Sequence, residues 1–334
     1  MEYKVPWWLP GGHLQTIWPA LHGRRSLAGA VAWRRERWDT PDGDFIDVDF
    51  AQPTSQPDAQ PNARPGAPLL VLFHGLEGSS ASHYAQAFAH WCEQRGLGFA
   101  VPHFRGCSGE LNRGPRAYHS GDFAEIDWIL RRLRDRQQAA GGGALLAMGV
   151  SLGGNALMRW AGEMGDQAAR LVDAVAAVSS PLDLRASGLA IGQGFNRQVY
   201  TRQFMATMRP KALAKLNQHP GLFDRQAMLT ARDLYDFDNV FTAPLHGFRD
   251  TDDYWARASA RPHLARIRIP ALLVNALNDP FVPAHSLPRA SEVGAHVTLW
   301  QPRGGGHVGF TQGSPPGHLQ ALPQAVGGWL LAHG

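Results

Sequence analysis

Hydrophobic and polar positions alternate along the chain in two rhythms. Continuous apolar runs, too short for helices, lie at 68–73, 97–102, 144–148, 174–178 and 270–276. Between them, apolar residues recur at helical spacing, over 83–95 and from Asp122 onward through Phe123, Ile126, Ile129, Leu130 and Leu133. A short run that is apolar on both faces predicts a strand covered on both sides. Such strands alternating with helices predict a mostly parallel sheet flanked by helices, an α/β fold. A last strand over 296–300 and a closing helix over roughly 318–331 complete the pattern.

The rhythm is interrupted in four places. Residues 31–50 predict a β-hairpin, with aromatic-flanked segments on either side of Pro41-Asp42-Gly43, strong turn chemistry. Residues 51–68, rich in Pro, Gln, Asp and Asn, predict an exposed surface loop without chemistry. Residues 183–268 carry helical fragments and polar loops but no strand pattern, which is too long for a plain connection. They predict a helical cap inserted in a single domain spanning 1–334. Within the cap, Leu189, Ile191, Phe195, Phe204, Met205 and Met208 offer apolar surface to line a tunnel for a flexible chain, with Phe204 and Met208 the candidate substrate-binding residues. At the N-terminus, Trp7, Trp8 and Trp18 stand among Pro6, Pro10 and Pro19. This composition excludes one unbroken helix, and packing of the indoles on the domain is preferred to a peripheral membrane contact.

The chemistry gathers at Gly149-Val150-Ser151-Leu152-Gly153, a Gly-x-Ser-x-Gly turn between a predicted strand and a predicted helix. In that context the serine sits at a strained apex, and glycines let the neighbouring backbones approach. A serine hydroxyl needs a base, and the base needs an orienting acid. Asp279 and His307 each follow a predicted strand, and C-terminal strand ends share one edge of a parallel sheet. The order Ser, Asp, His is that of the α/β-hydrolase fold. Asp183, which also follows a strand, is the rival orienting acid. The expected oxyanion donors are the backbone N–H groups of Leu152 and, from the loop after the 68–73 strand, of Leu76. His13 and His74 are read as structural.

Composition narrows the alternatives. The chain has 334 residues, 44% of them hydrophobic, and a net charge of +4. Its arginines are scattered, and the one dense run, over 131–136, predicts a solvated helix face, so nucleic acid is not an expected partner. Two cysteines give no disulfide framework, and there is neither a long apolar span nor a signal-peptide pattern. The expectation is a soluble cytoplasmic protein. No zinc-spaced Cys/His cluster and no Gly-Lys-Ser/Thr phosphate loop are present, so neither a metal nor another cofactor is expected.

Several stretches together resemble the YheT-like α/β-hydrolases: His74-Gly75-Leu76-Glu77-Gly78, Arg105-Gly106-Cys107-Ser108-Gly109, the Ser151 turn with Gly154-Asn155, and Gly306-His307-Val308-Gly309-Phe310. The resemblance extends to His13-Leu14-Gln15-Thr16 and, in the cap, to Phe237-Asp238, Thr242-Ala243-Pro244, Gly247-Phe248 and Asp253-Tyr254. It implies a triad of Ser151, Asp279 and His307 and activity on small-molecule carboxylic esters of short or medium acyl chain. The alternatives are acyl transfer to an alcohol through the same acyl-enzyme, or a non-enzymatic binding module on this fold. His219 and Asp224 match a His-x4-Asp acyltransferase spacing, which 15 histidines produce readily by chance.

Overall fold

The apolar runs become the centre of an eight-stranded sheet in a computed structural model that describes residues 2–23, 29, 31–52 and 66–334. Most of the Pro-rich stretch, residues 53–65, lies outside the described residues. The strands are β1 (Ala32–Asp39), β2 (Phe45–Gln52), β3 (Leu69–Phe73), β4 (Gly98–Pro102), β5 (Leu145–Val150), β6 (Ala174–Val178), β7 (Ala271–Val274) and β8 (Val297–Trp300). Their order is β1-β2-β4-β3-β5-β6-β7-β8. From β4 to β8 every pairing is parallel, while β2 pairs antiparallel with both β1 and β4. The predicted hairpin is thus the β1–β2 edge. There Arg34, Arg35, Glu36 and Arg37 load the outermost strand with charge, which blunts it against pairing with another chain.

The two faces of each inner strand feed two cores, as a side-chain period of two requires. On β3, Leu69, Val71 and Phe73 enter one core, and Leu70 and Leu72 the other. On β5, Leu145 and Ala147 share the first, and Leu146, Met148 and Val150 the second. The first core is covered by α3 (Phe123–Ala139) and α4 (Leu152–Met164), the second by α2 (His83–Glu93) and the C-terminal helix. Asp122 caps α3 by accepting from the Glu125 N–H at 3.3 Å, and Ile126, Ile129, Leu130 and Leu133 are all buried. Cys92 and Cys107 are buried free thiols.

Three expectations need correction. The closing helix starts later than residue 318, because the backbones of Gln312 and His318 first pair with each other; the helical turns cover Pro323–Gly327 and Gly328–His333. The 183–268 segment stays strandless up to β7, but its last part rejoins the sheet before 268: Leu264 and Ile267 pack into the first core under α4. Asn155 marks the return, donating to the Ala258 carbonyl and accepting from the Ala260 N–H, both at 2.9 Å. At the N-terminus α1 (Gly11–His22) follows the Trp-rich stretch; Trp8 and Trp18 pack edge to face, whereas Trp7 is 86% exposed. No helix among the described residues is long and apolar enough to cross a membrane.

Between β6 and β7 lie α5 (Leu184–Ile191) and the helices Arg202–Gln218, Arg225–Thr230 and Thr251–Ala258. Two single π turns, Arg197–Thr201 and Asp238–Thr242, interrupt them. Met205, Met208, Met228, Phe237 and Phe241 form a cluster of their own here, separate from the sheet's two cores.

Candidate active site

Ser151 stands where β5 turns into α4, with φ 52° and ψ −120°. A non-glycine residue held there costs about 1–3 kcal/mol and persists only when its surroundings dictate it. The surroundings are backbone. A side chain at Gly149 would overlap Gly153 and Gly154, and one at Gly153 would overlap the carbonyls of Phe73 and His74. The Ser151 N–H donates to the Val178 carbonyl at 2.9 Å, fastening the turn to β6. Leu152 is the first residue of α4, so its N–H has no acceptor within the helix.

The loop after β3 approaches this turn closely: a Cβ on Gly75 would lie 3.2 Å from the Ser151 Cβ. Gly78 N–H donates to the Gly75 carbonyl at 2.9 Å, closing a turn with Leu76 and Glu77 at its tip. Glu77 has φ 56°, a second strained non-glycine residue beside the first. Its conformation is held through its own side chain. Tyr118 donates to Glu77 Oε1 at 2.9 Å and accepts from the Glu77 N–H at 3.2 Å, and Lys211 Nζ lies 2.8 Å from Oε2. No local pattern in the sequence predicts this role for Glu77 or Tyr118. The available signal was a charged residue in a turn position that favours glycine.

His307 and Asp279 are brought together. His307 Nδ1 lies 2.9 Å from Asp279 Oδ2 and 3.2 Å from Oδ1, and Asp279 Oδ1 accepts from the N–H groups of Phe281 at 2.8 Å and Val282 at 3.3 Å. A carboxylate bound to Nδ1 keeps the proton on that nitrogen and leaves Nε2 with its lone pair. The Phe281 ring covers the imidazole at 4.1 Å between centroids. The rival Asp183 is occupied elsewhere: it caps α5 through the Ala186 N–H at 3.0 Å and pairs with Arg261 at 3.5 Å. The His307 loop is tied to the serine's neighbourhood one residue on, where the Val308 N–H donates to Ser179 Oγ at 3.0 Å, just past β6.

His74 is structural, as expected. The Phe104 N–H donates to its Nε2 at 3.1 Å, so Nδ1 carries the proton and donates to the Gly75 carbonyl at 2.8 Å. Burial pushes its pKa down to about 3. His13 lies at 3.1 Å from the Tyr200 hydroxyl. His219 and Asp224 serve separate roles, the first bonded to the Arg113 carbonyl at 2.9 Å and the second capping Arg225–Thr230.

Ser151, Leu152, Leu76 and Phe281 share a cleft of about 150 Å³, and its walls are largely apolar. The β6–β7 segment supplies much of the wall, including Ile191, Phe204 and Met208. The other apolar residues named for it divide: Met205 is buried within the segment's own cluster, while Leu189 and Phe195 are 45% and 52% exposed. Asp238 also faces the cleft; burial raises its pKa to about 6, and Trp255 Nε1 donates to it at 2.9 Å.

The profile of the alpha/beta hydrolase fold family matches residues 68–314. The chain belongs to this family. It is 36% identical over 323 residues to "Putative esterase YheT" of Escherichia coli (strain K12), covering 96% of this chain and 90% of that protein. It is 27% identical over 291 residues to "Phospholipase ABHD3" of Homo sapiens, covering 86% and 68% of the two chains. Among solved structures, the Pyrococcus furiosus esterase Pf2001 aligns with a TM-score of 0.56 at 14% identity, covering 91% of this chain and 93% of that one, a likeness of fold. The YheT-like resemblance and the α/β-hydrolase architecture both hold.

Proposed function

We propose that this α/β hydrolase is a serine esterase that cleaves small carboxylic esters through an acyl-enzyme. The observation that carries the reading is the His307–Asp279 pair, with Nε2 left free to accept a proton, beside an apolar cleft whose floor holds Ser151 in a strained turn. Ser151 Oγ attacks the ester carbonyl carbon while its proton passes to His307 Nε2. The resulting oxyanion takes hydrogen bonds from the N–H groups of Leu76 and Leu152. The carbonyl–alkoxy bond then breaks, and the alcohol leaves with the proton from His307. A water, deprotonated by the same nitrogen, attacks the acyl-enzyme and releases the acid and Ser151.

The names of the relatives, an esterase and a phospholipase, agree with a carboxylic ester as the bond cleaved. An apolar cavity of about 150 Å³ accommodates a hydrocarbon about the size of benzene, which favours short and medium acyl groups held by Phe204 and Met208. The β6–β7 segment acts in this reading as the cap that shapes the acyl site.

The test is a series of p-nitrophenyl esters from acetate to decanoate, with products analysed in buffer and with added alcohol. Burst release followed by free acid as the main product supports the esterase. Predominant transfer to the alcohol replaces it with an acyltransferase, and tight binding without turnover replaces it with a binding module.

A further inference from the structure

The segment farthest in sequence from His307 holds the loop that carries it. Gln15 and Thr16 on α1 are 3% and 8% exposed. Thr16 Oγ1 donates to the Gly12 carbonyl at 2.7 Å and accepts from the His307 N–H at 2.9 Å. Gln15 Nε2 donates to the Leu9 carbonyl at 2.8 Å, while its Oε1 accepts from the Gly305 N–H at 2.8 Å and from Asn278 Nδ2 at 3.0 Å. Asn278 immediately precedes Asp279, and its Oδ1 accepts from the Gly306 N–H at 3.0 Å. Three consecutive amides, those of Gly305, Gly306 and His307, therefore each donate to a side chain, and the same network grips the residue before Asp279.

The glycines of both regions make room for this contact. A side chain at Gly12 would overlap the Asn278 carbonyl, and one at Gly309 would overlap the Gln15 carbonyl. A Cβ at Gly306 would come within 2.8 Å of Thr16 Oγ1. The loop's own backbone bonds lie beyond these three amides: the N–H groups of Gly309 and Phe310 donate to the Gly305 carbonyl at 3.1 and 3.0 Å, and positive φ angles of 145° at Gly305 and 59° at Gly306 turn the N–H groups of Gly305, Gly306 and His307 to side-chain acceptors instead. General-base chemistry needs an imidazole held to a fraction of an ångström, and on the His307 side of this turn the backbone is fixed by Gln15, Asn278 and Thr16. α1 lies outside residues 68–314, the stretch matched by the family profile.

We propose that Gln15 and Thr16 are positioning residues, acting through the loop backbone and Asn278 to set the His307 imidazole against Asp279. The proposal rests on the reading of His307 as general base, and its test is arranged to separate the two. In full-length protein with ¹⁵N-labelled histidine, the low-field Nδ1–H resonance of His307 is assigned by its loss in His307→Gln. Thr16→Val should broaden or remove that resonance and lower kcat per active site on the order of ten- to a hundredfold with little change in KM. Thr16→Ser, which keeps the hydroxyl, should restore most of both.

A folded Thr16→Val with the resonance and kcat intact overturns the proposal, even if its Tm falls. Should the variant not fold, amide exchange in the unmodified protein decides. Slow exchange at Gly305, Gly306 and His307 is expected, and exchange as fast as in an open loop refutes the clamp. Ser151→Ala is measured alongside. Turnover retained there defeats the esterase reading, while the resonance and the exchange rates still judge the clamp.

Discussion

The strand ends and the segment between β6 and β7 meet in one cleft, but they build it by opposite means. The strand ends offer backbone: five non-glycine residues of positive φ, Glu77, Ser151, Ser179, Val308 and Phe310, and close approaches that only glycines allow. The β6–β7 segment offers side chains on helices, with a methionine- and phenylalanine-rich cluster of its own. Backbone geometry locked by neighbouring backbone is stiff, and it suits reacting groups that must not move. Methionine and phenylalanine adapt to a chain's shape and suit binding. Changes at the strand ends should therefore lower kcat, and changes in the segment should redistribute kcat/KM among substrates.

The largest expected effect is at Ser151. Ser151→Ala should lower ester turnover on the order of a millionfold with Tm little changed. Asp279→Asn comes next, at about ten-thousandfold in kcat, because an amide beside Nδ1 favours the wrong tautomer of His307. Asp183→Asn should leave kcat nearly unaltered, since that carboxylate caps α5 and pairs with Arg261. A loss of kcat for Asp183→Asn equal to that for Asp279→Asn would erase the distinction between the two acids.

The segment is probed by enlarging its wall. Each methylene of an acyl chain contributes up to about 0.8 kcal/mol while it is being buried, roughly fourfold in kcat/KM. Phe204→Trp and Met208→Trp should move the break in the chain-length profile to shorter esters and spare acetate. A flat profile from acetate to decanoate, unmoved by either change, would mean that this segment does not choose the acyl group.

The effect farthest from catalysis is on acid stability. Burial holds the pKa of His119 down to about 4, against the rings of His246, Phe248 and Tyr254. Its unfolded value is near 6.5. A depressed folded pKa means that the stability it contributes is present above about pH 6.5 and is lost as pH falls toward 4, because the unfolded chain takes up the proton first. His119→Gln should therefore reduce the slope of unfolding free energy against pH in that window by about one proton, or about 1.4 kcal/mol per pH unit. Urea titrations at several pH values measure it. Asp238 acts in the opposite direction, since its raised pKa favours the fold at low pH and loses that contribution as pH rises toward 6.

What was legible in the sequence follows the same division. β3, β5, β6 and β7 are continuous apolar runs because both faces are covered; Ser151 and Asp279 could be placed just beyond such runs, and His307 beyond the shorter last strand. The β6–β7 segment has no single period. Most of its helices are short, two π turns interrupt them, and Pro210 sits inside the longest, Arg202–Gln218, so Phe204 and Met208 were separable from Leu189 and Phe195 only once the helices had a fold to face. The glycines of the His307 loop were conspicuous, and their evident use was to let an imidazole reach the sheet edge. Their partner, α1, lies near the other end of the chain, and no local pattern names a contact across that distance. Glu77 was hidden for a related reason: its strain is held by Tyr118 and Lys211, from two separate parts of the chain.

The central claim is that Ser151 becomes acylated. Fluorophosphonate labelling of the purified protein, followed by peptide mass mapping, tests it most directly. One adduct per chain on the peptide containing Ser151, absent from Ser151→Ala and formed far more slowly in His307→Gln, is the expected result. An adduct on another residue, or no adduct in a preparation that still hydrolyses esters, would contradict it.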